Sequence, residues 1–260
     1  MVKLLVSIST TQESYKIDRA PSGALFFSIM FDLKFLKKNK ISFPIVLCAC
    51  DEVGRGPLAG PVVASCVKVE VQNEEAFKIL LKHLKNLNVT DSKKLKPHHR
   101  KEILNKLSID YSALRTKKAY EVFQDGLVFS FALEEIDNYE IDRINILQAS
   151  LLAMKNCFEL LARNLESVVF IDGNKKFMTS EKSLLFPIIK GDAQSYLIGL
   201  ASIIAKEYRD NLMLNYCQIY PDYGFSRNMG YPSKKHLEIL KLKGPTPIHR
   251  LTFKGVITQG

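Results

Sequence analysis

An apolar run from Ile45 to Cys50 stops at Asp51 and Glu52, with Gly54 and Gly56 close behind, a pattern that predicts a buried strand running into a turn. The β-branched stretch Val62 to Val69 predicts the next strand, and the short Pro/Gly connection pairs it with the first. Helices are predicted from Glu74 to Leu84, from Pro97 to Leu107 with proline at the first helical position, and amphipathically from about Ile144 to Leu161. Val168 to Asp172 repeats the layout of an apolar run closed by a carboxylate and Gly173, and Phe186 to Lys190 does so again before Gly191 and Asp192. From Tyr196 to Tyr216 the pattern is helical, and Gly199, Ala201, Ser202 and Ala205 are small enough to pack closely on a sheet. Strands and helices mix along the chain, so the fold class is α/β.

Residues 1–43 carry no motif and end in a lysine-rich stretch before Pro44; they read as an N-terminal extension to a single main domain over 44–260. No repeat or low-complexity tract interrupts that domain. Hydrophobic residues make up 47% and charged residues 25% of 260 positions, an ordinary balance for a chain that buries a core. A formal charge of +10 favours polyanionic partners, although a basic surface with no partner gives the same figure. Cys48, Cys50, Cys66, Cys157 and Cys217 are odd in number and scattered, which suits buried thiols in a reducing cytoplasm, and no second pair completes a zinc set with Cys48 and Cys50. No apolar run approaches the roughly 18 residues of a membrane span, so the reading is a soluble, cytoplasmic protein.

The chemistry lies in the acidic residues. Asp51 with Glu52, then Asp172, then Asp192 are delivered by three predicted strand ends, where ligands gather in open α/β sheets. Each has an ordinary alternative: an aspartate before glycine is commonly a turn residue, and Asp192 can cap the helix that follows it. Brought together, four carboxylates repel one another and need a cation. Their hard oxygens suit Mg2+ or Mn2+, and two such ions about 3.5–4 Å apart serve phosphodiester hydrolysis.

The words around these carboxylates carry more. DEVGRGPLAGPVVA at Asp51 to Ala64 resembles the opening motif of ribonuclease HII, with Gly54-Arg55-Gly56 closer to the type II than to the sister type III form. Further matches follow in family order: DSKKL at Asp91, NIL at Asn145, IDGN at Ile171, KGDA at Lys190, ASIIAK at Ala201 with Arg209 and Asp210, YPDYGF at Tyr220, GYPS at Gly230 and HRLTF at His249. They span about residues 45 to 254.

The resemblance implies a ribonuclease H-like fold, with a central mixed sheet flanked by helices and a helical C-terminal portion from about residue 220. It implies an endonuclease that uses Mn2+ or Mg2+ to hydrolyse the RNA strand of RNA-DNA hybrids. The same enzyme would cut 5' of ribonucleotides embedded in DNA, leaving a 5'-phosphate and a 3'-hydroxyl, in ribonucleotide and RNA primer removal. Asp51, Glu52, Asp172 and Asp192 would be its metal-binding catalytic carboxylates, and Asp210 an outer acidic residue or a helix-face residue. Gly54, Arg55 and Gly56 would contact the 2'-hydroxyl and phosphates, as the absence of a side chain at glycine allows. Lys93 and Lys94 would contact phosphate, and Tyr231 would sense the RNA-DNA junction. His249 and Arg250 read as structural.

Asn228 and Met229 stand where the family usually has His-Lys, removing one phosphate-seeking cation. The proline usual after the KGD aspartate is missing, with Tyr196 nearby. A monomer is expected, with a replication or repair protein as a candidate partner. The rival class is a non-catalytic nucleic-acid-binding relative, whose mark would be loss of a carboxylate; none is lost.

Overall fold

The computed structural model describes residues 25–124 and 126–256, with side chains of the first helix from Phe31 onward. Residues 1–24 of the expected extension lie outside the described residues. Six strands form one mixed sheet: β1 (Ile45–Val53), β2 (Val62–Val71), β3 (Ala119–Gln124), β4 (Leu127–Ile136), β5 (Ser167–Asp172) and β6 (Ser183–Ile188), in the order β3-β4-β2-β1-β5-β6. The β3-β4-β2-β1 pairs are antiparallel, and β1-β5-β6 are parallel.

Period-two alternation splits β1 between two cores. Leu47 and Ala49 face one side with Val168 and Phe170 of β5, against α6 (Tyr196–Ile219). Cys48 and Cys50 face the other with Val169 and Ile171, against α5 (Ile146–Ala162). Four cysteines are fully buried free thiols and Cys217 is partly buried, as expected of unpaired core cysteines.

The predicted helices at 74–84 and 97–107 are α2 (Glu74–Asn86) and α3 (Pro97–Lys106). The predicted helix from about Ile144 to Leu161 is α5, and a short helix that was not anticipated, α4 (Asn138–Ile144), precedes it. Asn145 sits between them at φ 68°, and its side chain accepts from the amides of Leu147 and Gln148, so it starts the second helix instead of continuing the first. The predicted strand at 186–190 begins earlier, at Ser183, and ends at Ile188 because Lys190 turns to φ 54°.

The hairpin β3-β4 has no counterpart in the reading of the sequence, although Asp-Gly at 125–126 marks such a turn, and Gly126 adopts φ 77°. Beyond α6 the chain is helical as expected, through a 3-10 turn at Pro221–Tyr223, α7 (Phe225–Asn228) and α8 (Lys234–Lys243). These pack on a small separate cluster that includes Met213, Tyr223 and Phe225.

A helix in the expected extension, α1 (Leu25–Lys38), also went unanticipated. Its Leu36 is 1% exposed within the main core, and the Phe35 ring meets those of Phe170 and Phe186 edge-on at 5.1 Å. Asp32, fully buried, accepts from the Tyr196 amide at the start of α6. Leu36→Ala should therefore destabilise the protein by about 2–4 kcal/mol in urea unfolding, the cost of a core cavity. A change below about 0.5 kcal/mol, the size of a surface substitution, would make α1 an ornament instead of a core element.

Candidate active site

The parallel pair β1-β5 builds the site. Its register matches Cys50 to Ile171, so the next positions, Asp51 and Asp172, stand side by side on the face that carries Ala49 and Phe170. Asp51 and Glu52 lie within β1 and not in a turn after it, which differs from the reading of the sequence: β1 runs on to Val53 because β2 pairs with it throughout. Carboxylate oxygens of Asp51, Glu52 and Asp172 all lie within 4.8 Å of one another.

Asp192 arrives by another route. It sits in a 3-10 turn, Gly191–Ala193, after β6, and that turn is stitched to Asp172, whose Oδ1 accepts from the Gly191 amide at 2.6 Å and the Asp192 amide at 3.3 Å. Gly199 of α6 makes the approach possible, since a Cβ there would lie 3.2 Å from the Asp192 carbonyl oxygen. Asp192 is outside the close group of three, and its Oδ2 accepts from Lys93 Nζ at 3.1 Å.

Electrostatics record the crowding. Burial, then the charges of Glu52 and Asp172, pushes the Asp51 carboxyl well above its usual range. Burial raises Glu52 to about 7 despite Arg55, whose Nη1 lies 3.3 Å from Oε1. Burial and the charge of Asp192 raise Asp172. Glu52 Oε2 is buried and has no hydrogen-bond partner among the described residues. An orphaned carboxylate oxygen beside two crowded aspartates fits a hard divalent cation, which needs oxygen ligands and cancels the repulsion.

Lys93 and Lys94 lie in the loop before α3, both exposed, and Lys94 has no ion-pair partner among the described residues. The loop is held from below by buried Arg100, which donates to the Leu95 carbonyl at 2.8 Å, Glu207 at 2.6 Å and Asp210 at 2.9 Å. Asp210 also pairs with Lys206. It thus anchors the segment that carries Lys93.

Gly54, Arg55 and Gly56 follow β1, with Arg55 and Gly56 exposed. A Cβ on Gly56 would lie 3.3 Å from Cε1 of Tyr231, whose ring is 44% exposed. The ring therefore packs directly against the Gly56 backbone, at an exposed junction of the two segments. Asn228 does turn work: its Oδ1 accepts from the Gly230 amide and its Nδ2 donates to the Tyr223 carbonyl. Met229 packs on the C-terminal apolar cluster.

Reading the sequence missed two features under this junction. Arg209 and Arg250 are fully buried. His236 and His249 are buried side by side, their Nε2 atoms 3.0 Å apart. His249 Nδ1 accepts from the Thr246 amide, so its Nε2–H donates to His236, whose Nδ1–H donates to the Tyr231 carbonyl at 2.8 Å. The HRLTF match touched both groups; a basic residue inside an apolar helical pattern, as at Arg209, was the remaining signal.

A mixed sheet flanked by helices, with an acidic cluster at a parallel strand pair, is a ribonuclease H-like fold carrying a candidate metal site. The family model described as Ribonuclease HII matches residues 49–256. The chain is 41% identical over 254 residues to a ribonuclease HII of Lactobacillus delbrueckii subsp. bulgaricus, covering 98% of this chain and 84% of the relative. It is 39% identical over 208 residues to that of Chloroherpeton thalassium, covering 80% and 89%.

Among solved structures, ribonuclease H2 from Pyrococcus horikoshii superposes with TM-score 0.57 at 22% identity, covering 82% of this chain and 95% of that one. The ribonuclease HII of a PCNA complex from Archaeoglobus fulgidus gives 0.56 at 20%, covering 83% and 98%. The chain belongs to the ribonuclease HII family and is a type II ribonuclease H nuclease.

Two stability measurements follow from these charges. A carboxyl raised in the folded state destabilises the fold above its unfolded pKa, so Asp51→Asn should raise the Tm of chelator-treated protein at pH 7. That gain should shrink toward pH 4, as Asp51 becomes protonated in both states. An unchanged or lower Tm at pH 7 would mean the repulsion is already relieved.

The histidines have the opposite sign. Burial, with His236 adding to it, holds His249 down to about 4, so the unfolded chain binds the extra proton between about pH 6.5 and 4. Stability is complete above that window and falls through it by up to about 3 kcal/mol. In His249→Asn, whose Oδ1 can still accept from Thr246, the unfolding free energy should lose most of this slope; an equal slope would place the titration elsewhere.

Proposed function

We propose that this enzyme cuts the RNA strand of RNA-DNA hybrids, and cuts 5' of ribonucleotides embedded in duplex DNA, leaving a 5'-phosphate and a 3'-hydroxyl. The observation that carries the reading is the continuity of acidic cluster and exposed loop: Asp51 and Glu52 at the end of β1 lead directly into Gly54-Arg55-Gly56, on which the Tyr231 ring packs. Asp51, Glu52, Asp172 and Asp192 are the candidate ligands for Mn2+ or Mg2+. When bound, such ions lower the pKa of water and stabilise the charge that develops on phosphate and leaving oxygen.

The rest is done by the chain. Two amides fix Asp172 Oδ1 and leave its other oxygen available. Lys93 beside Asp192 offers a cation to substrate phosphate. Gly56 lets a ribose approach the loop, and the Tyr231 ring packs against the neighbouring sugar. A 2'-hydroxyl is the only group that separates RNA from DNA at that point, so a loop lined by backbone donors suits it.

The enzyme would act as a cytoplasmic monomer in ribonucleotide and primer removal. The PCNA complex of the Archaeoglobus relative supports a replication protein as its tether.

A duplex holding one ribonucleotide, labelled at its 5' end and incubated with and without Mn2+ or Mg2+, tests the reading. Metal-dependent cutting 5' of the ribonucleotide is expected, with Asp172→Asn lowering the rate by at least about 100-fold, as loss of a metal ligand does. Tyr231→Ala should cost roughly 5- to 150-fold, the range of one lost stacking contact, and more on the single ribonucleotide than on a continuous hybrid. Equal losses on both substrates would take junction sensing from Tyr231; full activity of Asp172→Asn would remove the metal assignment.

A further inference from the structure

Arg209 and Arg250 are both 0% exposed, yet neither is in an ion pair among the described residues. Every hydrogen bond they make goes to a backbone carbonyl. Arg250 donates from Nη2 to Gly54 at 2.6 Å, from Nη1 to Arg55 at 3.0 Å and from Nε to Gly60 at 2.9 Å. Arg209 donates from Nε to Pro61 at 3.0 Å, from Nη2 to Ala59 at 3.1 Å and from Nη1 to Met229 at 3.0 Å. Burial pushes both guanidinium pKa values down, to about 10 and about 9, which still leaves them protonated at neutral pH.

Arg250 also lies over the Phe253 ring, 5.0 Å from its centroid; a buried cation without a carboxylate is costly even so, and two of them behind one loop call for a role that apolar side chains could not fill. Only Phe43-Pro44 is cis among the described residues, so the peptides after Gly54 and Arg55 are trans. In a trans peptide the C=O of one residue and the N–H of the next point in opposite directions. With the Gly54 and Arg55 carbonyls drawn inward to Arg250, the amides of Arg55 and Gly56 are turned outward. Both residues are exposed, and neither amide is bonded within the protein among the described residues.

The second guanidinium ties the loop to the ring. Through Ala59, Pro61 and Met229, Arg209 ties the loop to the segment that carries Tyr231, and the Leu58 amide donates to the Gly230 carbonyl alongside. There is no room for another arrangement: a Cβ on Gly54 would lie 2.2 Å from Arg209 Nε, and one on Gly230 would lie 2.6 Å from the Ala59 oxygen. The C-terminal segment brings Arg250 into place, since the Gly60 amide donates to Ile248, the Arg250 amide donates to Leu58, and Ala59 bridges to His249.

We propose that Arg250 and Arg209 are positioning residues for substrate: they hold the Gly54–Pro61 carbonyls inward, so that the Arg55 and Gly56 amides and two buried positive charges face a ribose hydroxyl and its phosphate opposite Tyr231. This rests on the functional reading above. Lysine in place of either arginine keeps the charge, but one ammonium on a flexible stem cannot span three carbonyls in a fixed plane.

The test compares wild type, Arg250→Lys, Arg209→Lys and Gly54→Ala, the last displacing Arg209 without removing it. Steady-state kinetics on the single-ribonucleotide duplex are measured well below each variant's Tm, and Mn2+ binding by calorimetric titration. Each variant should raise KM for the duplex by about 10-fold or more, with a smaller change in kcat, the mark of lost substrate binding. Mn2+ affinity should change much less than KM, since the loop reaches the acidic cluster through the exposed Arg55–Glu52 pair.

Lower Tm with unchanged KM in folded Arg250→Lys and Gly54→Ala would reduce the arginines to fold supports and overturn the proposal. Loss of Mn2+ affinity in step with activity would overturn it as well, by placing the effect at the carboxylates. If an arginine variant does not fold, Gly54→Ala alone decides. Wild type failing to cut the duplex at all would sink the functional reading itself, an outcome separate from these.

Discussion

Asp51 and Asp172 occupy one face of two adjacent parallel strands, in positions that the register places next to each other. Nothing in the sheet lets them move apart, because Ala49 and Phe170 below them are sealed against α6. Glu52 brings a third carboxylate, and burial weakens the ability of water to screen the three. The constraint shapes what surrounds it: amides of the Gly191–Ala193 turn on Asp172, Arg55 against Glu52, and Lys93 against Asp192 all supply positive ends to a negative centre.

These supports are partial by design of the geometry. Arg55 and Lys93 are exposed, so water screens their pairing, and one oxygen of Glu52 has no hydrogen-bond partner among the described residues. The protein thus holds its carboxylates close at a cost in stability, an arrangement that a divalent cation would compensate. The substrate side follows a different logic. There, buried guanidiniums and a histidine pair fix the backbone of a loop and of Tyr231, so that the selectivity proposed above would be built from peptide groups whose positions do not depend on flexible side chains.

The C-terminal portion acquires meaning from that arrangement. Its helices form a small cluster of their own, and the segment Ile248–Arg250 returns to pair with Leu58–Gly60. Asp142 of α4 accepts from the amides of Leu251 and Thr252, and Asn138 donates to the carbonyls of Pro247 and His249, so α4 fastens the returning segment. A distant stretch of chain is therefore a support of the same loop that begins immediately after the first acidic strand.

The local pattern of apolar and polar residues determined much of this by itself. Strands β1, β2 and β5 and helices α2, α3, α5 and α6 follow from periodicity, capping residues and proline placement, because those are properties of a few neighbouring residues. The motif words, Asp51 to Ala64 above all, named the family for the same reason: they are contiguous. What the sequence could not fix was anything set by partners far along the chain. Asp51 and Glu52 read as turn residues until β2 extended the strand through them, and α1 read as a featureless extension until Phe35 and Asp32 met β5, β6 and α6. Arg250 read as structural because it falls near no predicted strand end; that its guanidinium holds the Gly54, Arg55 and Gly60 carbonyls, about 190 positions earlier, is a matter of tertiary packing that no local pattern records.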